Sequence, residues 1–152
     1  GVSTIKPFAQ ICSKKIASVT SLESLARNVN PSQNSTVVSL IDARNNQVYC
    51  GIFDANCTKK EAFLADDINS IISILKKYDN LVFVGNGSEL HKELLENELK
   101  NISFSDNNIQ SAVSLGKIAY KKFLENDLCT ADSFLPIYLR KSQAERLKND
   151  RN

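Results

Sequence analysis

The first thirty residues show the spacing of apolar positions that is typical of helices. A helix is predicted over residues 3–16, where the apolar positions of one face are Ile5, Phe8, Ala9, Cys12 and Ile16. Thr20 and Glu23 form a capping-box pair, which predicts the start of a second helix. The polar stretch that follows has turn composition and no periodicity. It predicts a linker at residues 31–36, with a boundary between two lobes.

The next segment predicts a β-hairpin. Residues 37–42 and 47–54 are rich in β-branched and aromatic side chains, which favour strands. Asn45 and Asn46 between them tolerate the positive φ of a tight turn, although Asn-Gly would suit it better and a longer loop remains open. A third strand is expected at residues 61–64, completing a meander.

Strands and helices then alternate along the chain. Asp67 is expected to cap a helix whose apolar face consists of Ile68, Ile71, Ile72 and Leu75. A buried strand is predicted at residues 81–84, followed by a glycine-rich turn and a helix opened by Ser88. A short strand at residues 102–104 leads to a helix over residues 109–125, on which four apolar positions align: Ala112, Leu115, Ala119 and Phe123. This order predicts a mixed α/β lobe over residues 37–139.

Composition sets further bounds. A chain of 152 residues fits one domain or two small lobes, and its net charge of +2 does not by itself indicate nucleic acid. No apolar run reaches the ~20 residues of a membrane span, and no secretory signal is visible, so we expect a cytoplasmic protein. The chain contains no Met and begins inside a predicted helix, which suggests that an N-terminal portion is missing.

The cysteines and the single histidine give little support for a metal site. The four cysteines form no CxxC pair, and we expect them to be free, with a Cys50–Cys57 disulfide as the less favoured alternative. His91 lies on a mostly polar helix and is expected to be a solvated surface residue. We therefore expect no bound metal and no cofactor.

Two short stretches could carry chemistry. The turn at Gly85, Asn86 and Gly87 could bind a phosphate through its backbone N–H groups, but it lacks the GxGxxG spacing. A tight turn that needs glycine for its geometry is the simpler interpretation. Asp42 ends a predicted strand and could hold Mg²⁺ or act as a base, whereas a local ion pair or turn cap with Arg44 is simpler.

The C-terminal segment is basic. Residues 140–152 carry five cationic side chains, namely Arg140, Lys141, Arg146, Lys148 and Arg151. They could contact RNA, but no series of aromatic side chains accompanies them, so a solvated helical face is favoured. Ser142 and Glu145 form another capping-box pair, which predicts a short helix after an extended segment pinned by Ile137 and Leu139.

Four segments of this chain resemble the TsaB (YeaZ) family in order and spacing. They are "GVSTIKPFAQ", "SVTSLESLA", "LIDARNNQVYCGIF" and "PIYLRKSQAE". TsaB is the bacterial partner subunit of the machinery that makes threonylcarbamoyladenosine on tRNA. The resemblance implies an actin/hexokinase-like (ribonuclease H-like) fold of two related lobes. It also implies that residues 1–30 are remnant helices of a largely missing first lobe.

The resemblance also implies a function. TsaB-like proteins are regarded as non-catalytic subunits that pair with the TsaD enzyme, with the ATPase TsaE and with tRNA joining only in the complex. The helix with Ile5, Phe8, Ala9 and Cys12 would be the partner-binding surface, or would support a homodimer, or would pack inside the first lobe. The alternative function is a nucleotide-binding enzyme of the actin/hexokinase-like class with peptidase-like or kinase-like activity. Direct RNA binding by the basic tail is a third possibility.

Overall fold

A mixed five-stranded sheet forms the centre of the computed structural model, which describes residues 1–140. Its strands are β1 (Thr36–Asp42), β2 (Gln47–Phe53), β3 (Leu64–Asp67), β4 (Leu81–Val84) and β5 (Ile102–Phe104). Their order in the sheet is β3-β2-β1-β4-β5. The meander β1-β2-β3 is antiparallel, whereas β4 and β5 run parallel to β1. The predicted mixed α/β lobe is therefore confirmed.

Six helices accompany the sheet within the described residues. They are α1 (Val2–Ile11), α2 (Ser21–Ala26), α3 (Ile68–Leu75), α4 (Asn86–Leu90), α5 (Lys92–Glu98) and α6 (Ala112–Leu124). No helix within residues 1–140 combines the length and the apolar character needed to cross a bilayer.

The sheet has an apolar core on each face. Successive side chains of a strand point to opposite faces, so Val38 and Leu40 of β1 enter one core and Val37 enters the other. The first core is completed by α3, and its predicted apolar face is confirmed because all four of its residues are buried. Asp67 caps α3, as expected, by accepting a hydrogen bond from the backbone N–H of Asn69.

The second core is covered by α2. The capping box is confirmed, since Thr20 Oγ1 accepts a hydrogen bond from Glu23 N at 3.2 Å and Glu23 Oε2 accepts one from Thr20 N at 2.7 Å. Leu22 and Leu25 then pack against strand residues of the same core. Helix α2 therefore packs on the sheet. The domain division expected from the sequence places α2 with α1, on the other side of the linker at residues 31–36.

Several predicted boundaries were wrong. Helix α1 ends at Ile11 rather than at residue 16, because Ser13 adopts a left-handed φ of 51°. The hairpin, in contrast, has the longer loop that the sequence left open, and Arg44, Asn45 and Asn46 in it all have positive φ. Strand β3 lies three residues later than predicted, since its register is set by pairing with β2. Helix α4 begins at Asn86, so Ser88 lies inside it.

The predicted apolar stripe of α6 does not face the core. Leu115 and Phe123 are 45% and 61% exposed, and Ala112 is exposed as well. The buried position of this helix is Ser114. The predicted helix after Lys141, with its capping pair Ser142 and Glu145, lies outside the described residues.

Candidate functional site

Helix α1 presents most of the predicted partner-binding residues to solvent. Ile5 and Phe8 are 49% and 70% exposed, and Cys12, at the end of the helix, is also exposed. Ala9 is buried, so the four predicted residues do not share one exposed face. Ile11 is 84% exposed and was missed, because it does not fit the spacing of that stripe.

The exposed side of α1 opens onto a groove. The groove has a volume of about 630 Å³, and its lining includes Val2, Ile5, Ile16, Leu115, Leu135 and Ile137. The chain after α1 is tied to the C-terminal segment by two backbone hydrogen bonds between Ile16 and Cys129, each 2.9 Å long. Gln10 Nε2 also donates to Asp132 Oδ1 at 3.1 Å. An apolar groove of this kind is better suited to binding the surface of another protein than to binding a charged ligand.

The glycine-rich turn after β4 is used for close packing. Gly85 has a φ of 105°, and a Cβ there would lie 2.3 Å from the carbonyl oxygen of Leu40. A Cβ on Gly87 would lie within 3.1 Å of the backbone of β1. The N–H of Gly85 already donates to Asn108 Oδ1 at 2.7 Å. Packing geometry therefore accounts for both glycines, and a contact between this turn and a nucleotide stays a prediction.

Asp42 acts as a turn cap. Its Oδ1 accepts a hydrogen bond from the backbone N–H of Arg44 at 2.8 Å, which is the simpler of the two interpretations given for it. Its own N–H donates to Asn86 Oδ1 at 3.2 Å, so the ends of β1 and β4 are linked. Asn86 is the exposed member of the glycine-rich turn.

His91 is less exposed than expected. It joins α4 to α5 and is half-buried, and its Nε2 atom is buried without a hydrogen-bond partner among the described residues. The expectation of a solvated surface histidine was therefore wrong. Within residues 1–140, no three His, Cys, Asp or Glu side chains lie close enough together to hold a metal ion.

A charged cluster links the segment before β3 to the residues that follow α3. Glu61 accepts hydrogen bonds from Lys77 and from the hydroxyl of Tyr78, and these bonds hold the pKa of Glu61 below its ordinary value. Burial raises the pKa of Cys50 to about 12, with a further contribution from the charge of Glu61. The four cysteines are free, as expected, and Cys50 behaves as a small apolar side chain of the core.

The C-terminal segment lies over the end of the sheet. Leu139 packs against the second core, and Arg140 donates through a guanidinium nitrogen to the carbonyl of Ala43 at 3.1 Å. Ile137 is 60% exposed, so only one of the two predicted anchors is seated. A cavity of about 370 Å³ remains beneath this segment, with Ile41, Tyr49 and Phe63 among its walls. The other basic residues of the tail lie outside the described residues.

Comparison with solved structures confirms the fold. YeaZ from Pseudomonas aeruginosa superposes with a TM-score of 0.67 at 16% identity, over 90% of this chain and 66% of that chain. A crystal structure of an uncharacterized protein, described as similar to the peptidase YeaZ from Pseudomonas aeruginosa, gives a TM-score of 0.71 at 17% identity, over 91% of this chain and 65% of that chain. The chain thus spans slightly less than two thirds of both structures. The actin/hexokinase-like fold expected from the TsaB (YeaZ) resemblance is confirmed.

Comparison of the sequence with known proteins gives the family. No curated protein matches the chain. The sequence model of the family described as "TsaD: tRNA N6-adenosine threonylcarbamoyltransferase" matches residues 1–148, which is nearly the whole chain. The chain therefore belongs to the TsaD family of tRNA N6-adenosine threonylcarbamoyltransferases.

Proposed function

We propose that this chain is a TsaB (YeaZ)-type accessory subunit, which pairs with a TsaD-like enzyme and supports threonylcarbamoyl transfer to the adenosine next to the tRNA anticodon. Membership of the TsaD family and the YeaZ fold support this role. A TsaE-like ATPase and tRNA would join only in the assembled complex.

The exposed apolar side of α1 is the observation that carries the proposal. Three large side chains of this helix, Ile5, Phe8 and Ile11, are between 49% and 84% exposed. Complete burial of an exposed side chain of this type contributes ~1.5–3 kcal/mol. Burial of all three in an interface would therefore contribute substantially to the free energy of partner binding. Large apolar side chains clustered on one helix are typical of interaction surfaces, and this is the helix that the TsaB resemblance assigns to the partner.

A binding role is also supported by how the candidate catalytic groups are used. Gly85 and Gly87 are packed against β1, and Asp42 is engaged as a turn cap. The proposal therefore assigns the chemistry to the TsaD-like partner and gives this chain the task of binding it.

Co-purification with a TsaD-like enzyme tests the pairing. Ile5→Asp places a charge on the exposed apolar side of α1 and is expected to abolish co-purification and the stimulation of threonylcarbamoyl transfer. Thr4→Asp is the matched control, because Thr4 is an exposed polar residue of the same helix. Circular dichroism verifies that both variants fold.

Two results would count against the proposal. One is an Ile5→Asp variant that binds the partner as tightly as the unaltered chain. The other is ATP turnover by this chain alone, which would favour the alternative of a nucleotide-binding enzyme.

A further inference from the structure

The cavity beneath the C-terminal segment has walls from three parts of the chain. Ile41 of β1 and Tyr49 of β2 are cross-strand partners, so their side chains point to the same face of the sheet, at the edge of the second core. Phe63, which precedes β3, lines the cavity beside them. The start of α2 and residues 137–140 form the other walls. The cavity therefore lies where the sheet, α2 and the C-terminal segment meet.

The size and the walls of this cavity suit an apolar ring. Its volume is about 370 Å³, more than twice the ~150 Å³ of an engineered cavity that holds benzene. It therefore has room for one ring and a short chain. Most of the lining side chains are apolar or aromatic. The ring of Phe63 packs against that of Phe53, with their centroids 6.2 Å apart, so this wall is already formed in the free protein.

Arg140 brings a positive charge to these apolar walls. Among residues 1–140, it is the one charged residue that lines the cavity. Its guanidinium donates to the carbonyl of Ala43 at 3.1 Å, but it forms no salt bridge with a carboxylate in that part of the chain. A guanidinium has several N–H donors, so Arg140 can bind an anion while it keeps the contact with Ala43. A complementary ligand therefore carries a negative charge beside an apolar group.

The single cation favours a ligand with a single negative charge. A phosphate ester carries a charge of about −1.5 to −2 at neutral pH, and the excess would be left without a partner beside apolar walls. A carboxylate carries one charge, and its two oxygens match the fork of a guanidinium. We propose that this cavity binds a small monocarboxylate with one ring. The carboxylate pairs with Arg140, and the ring lies against Tyr49 and Phe63.

Titration of the 152-residue chain with hydrocinnamate, followed by amide NMR spectra, tests this site. Hydrocinnamate consists of a phenyl ring, a two-carbon chain and a carboxylate. Saturable shifts centred on the lining residues are expected, with a Kd of about 1 mM or tighter. Hydrocinnamamide has the same shape without the charge and should bind roughly 10-fold more weakly. Benzyl phosphate should also bind more weakly than the acid, because its second charge has no partner.

Two variants assign the binding to this cavity. Arg140→Gln should weaken hydrocinnamate binding roughly 10-fold and leave hydrocinnamamide binding unchanged, since only the acid uses the charge. Arg27→Gln is the matched control, because Arg27 is an exposed arginine at the end of α2 that does not line the cavity. It should bind hydrocinnamate as the unaltered chain does. Ile41→Trp fills part of the cavity and should abolish binding, with circular dichroism to verify its fold.

Each result supports or overturns the proposal. Binding that is weakened by Arg140→Gln and unchanged by Arg27→Gln supports it, even if Ile41→Trp does not fold. Absence of saturable binding would overturn it, as would shifts spread over the whole surface. Equal affinities for the acid and the amide, or tighter binding of benzyl phosphate, would also overturn it. No TsaD-like enzyme takes part in these titrations, so their outcome is independent of the proposed function.

Discussion

Replacement of Gly85 by alanine should destabilise the protein more than any other single methyl group added at a glycine. Gly85 connects β4 to α4 with φ 105° and ψ 163°, a region of backbone conformation that is essentially reserved for glycine. An added Cβ would lie 2.3 Å from the carbonyl oxygen of Leu40 and 3.1 Å from a methyl group of Leu25. Because the clashing atom of Leu40 is a backbone oxygen of the central strand, the clash cannot be relieved by rotating a side chain.

Two costs combine in this variant. The backbone conformation costs ~1–3 kcal/mol for a residue with a Cβ. Forcing an extra carbon into a packed core costs another ~1–3 kcal/mol. We therefore expect a loss of about 3–5 kcal/mol, a large part of the ~5–15 kcal/mol that separates folded from unfolded domains. The corresponding fall in Tm is about 10 °C for a chain of this size.

Thermal and urea unfolding followed by circular dichroism measure the effect. Gly116→Ala is the matched control, because a Cβ at this exposed helical position meets no atom of residues 1–140 within 4 Å. It should stabilise the protein by ~0.5–1 kcal/mol through helix propensity. A Gly85→Ala variant with the stability of the unaltered chain would refute both the backbone conformation and the close packing of the turn on β1.

Three further predictions follow from individual contacts. Thr20→Ala removes the hydroxyl that caps α2 and should cost about 1 kcal/mol in urea unfolding, whereas an unchanged midpoint would contradict the capping box. Hydrogen bonds from Lys77 and Tyr78 lower the pKa of Glu61 in the folded state, so the ionised carboxylate stabilises the folded protein. This contribution to the free energy of unfolding is fully present at pH values above the ordinary carboxyl pKa. It is lost as the pH falls through the lowered pKa of the folded state. Glu61→Gln should remove that part of the acid sensitivity in unfolding curves measured against pH, and identical curves would refute the assignment. Because burial raises the pKa of Cys50 to about 12, a maleimide should label exposed Cys12 in the native protein and Cys50 only after unfolding, as mass spectrometry can verify.

Local patterns predicted the elements whose signals lie within a short stretch of the sequence. The apolar face of α3, the cap at Asp67 and the strand Leu81–Val84 were all predicted correctly. Each depends on spacing and on side chains within a few residues, so the sequence alone contains the relevant information. The capping box at Thr20 is another example, because both of its hydrogen bonds join residues three positions apart.

Features that depend on distant contacts were predicted less well. The stripe on α6 was found by its periodicity, but periodicity does not show which side of a helix meets the protein. That side is decided by Ser114 and its hydrogen bond to Asn28, 86 residues earlier. The position of β3 was wrong for a similar reason, since its register is set by pairing across the sheet, with Gln47 opposite Asp67.

The exposed side chains of α1 were predicted in part. The pattern located Ile5 and Phe8, which are exposed on α1, but it included the buried Ala9 and omitted the exposed Ile11. The four predicted positions span more than a quarter of the circumference of the helix. Spacing alone therefore could not show that one edge of this stripe, at Ala9, is buried. The burial of His91 Nε2, which has no hydrogen-bond partner among residues 1–140, was also missed, because burial at the α4–α5 junction depends on the packing of both helices.

Photo-crosslinking from position 8 tests whether α1 contacts a TsaD-like enzyme. A photoreactive phenylalanine analogue replaces Phe8, which is 70% exposed on α1, and the chain is irradiated together with a TsaD-like enzyme. A covalent product between the two proteins is expected, and a probe at Leu90 on α4 should give none. Equal crosslinking from both positions, or none from position 8 while the two proteins co-purify, would contradict the proposal that α1 is the surface that binds the enzyme.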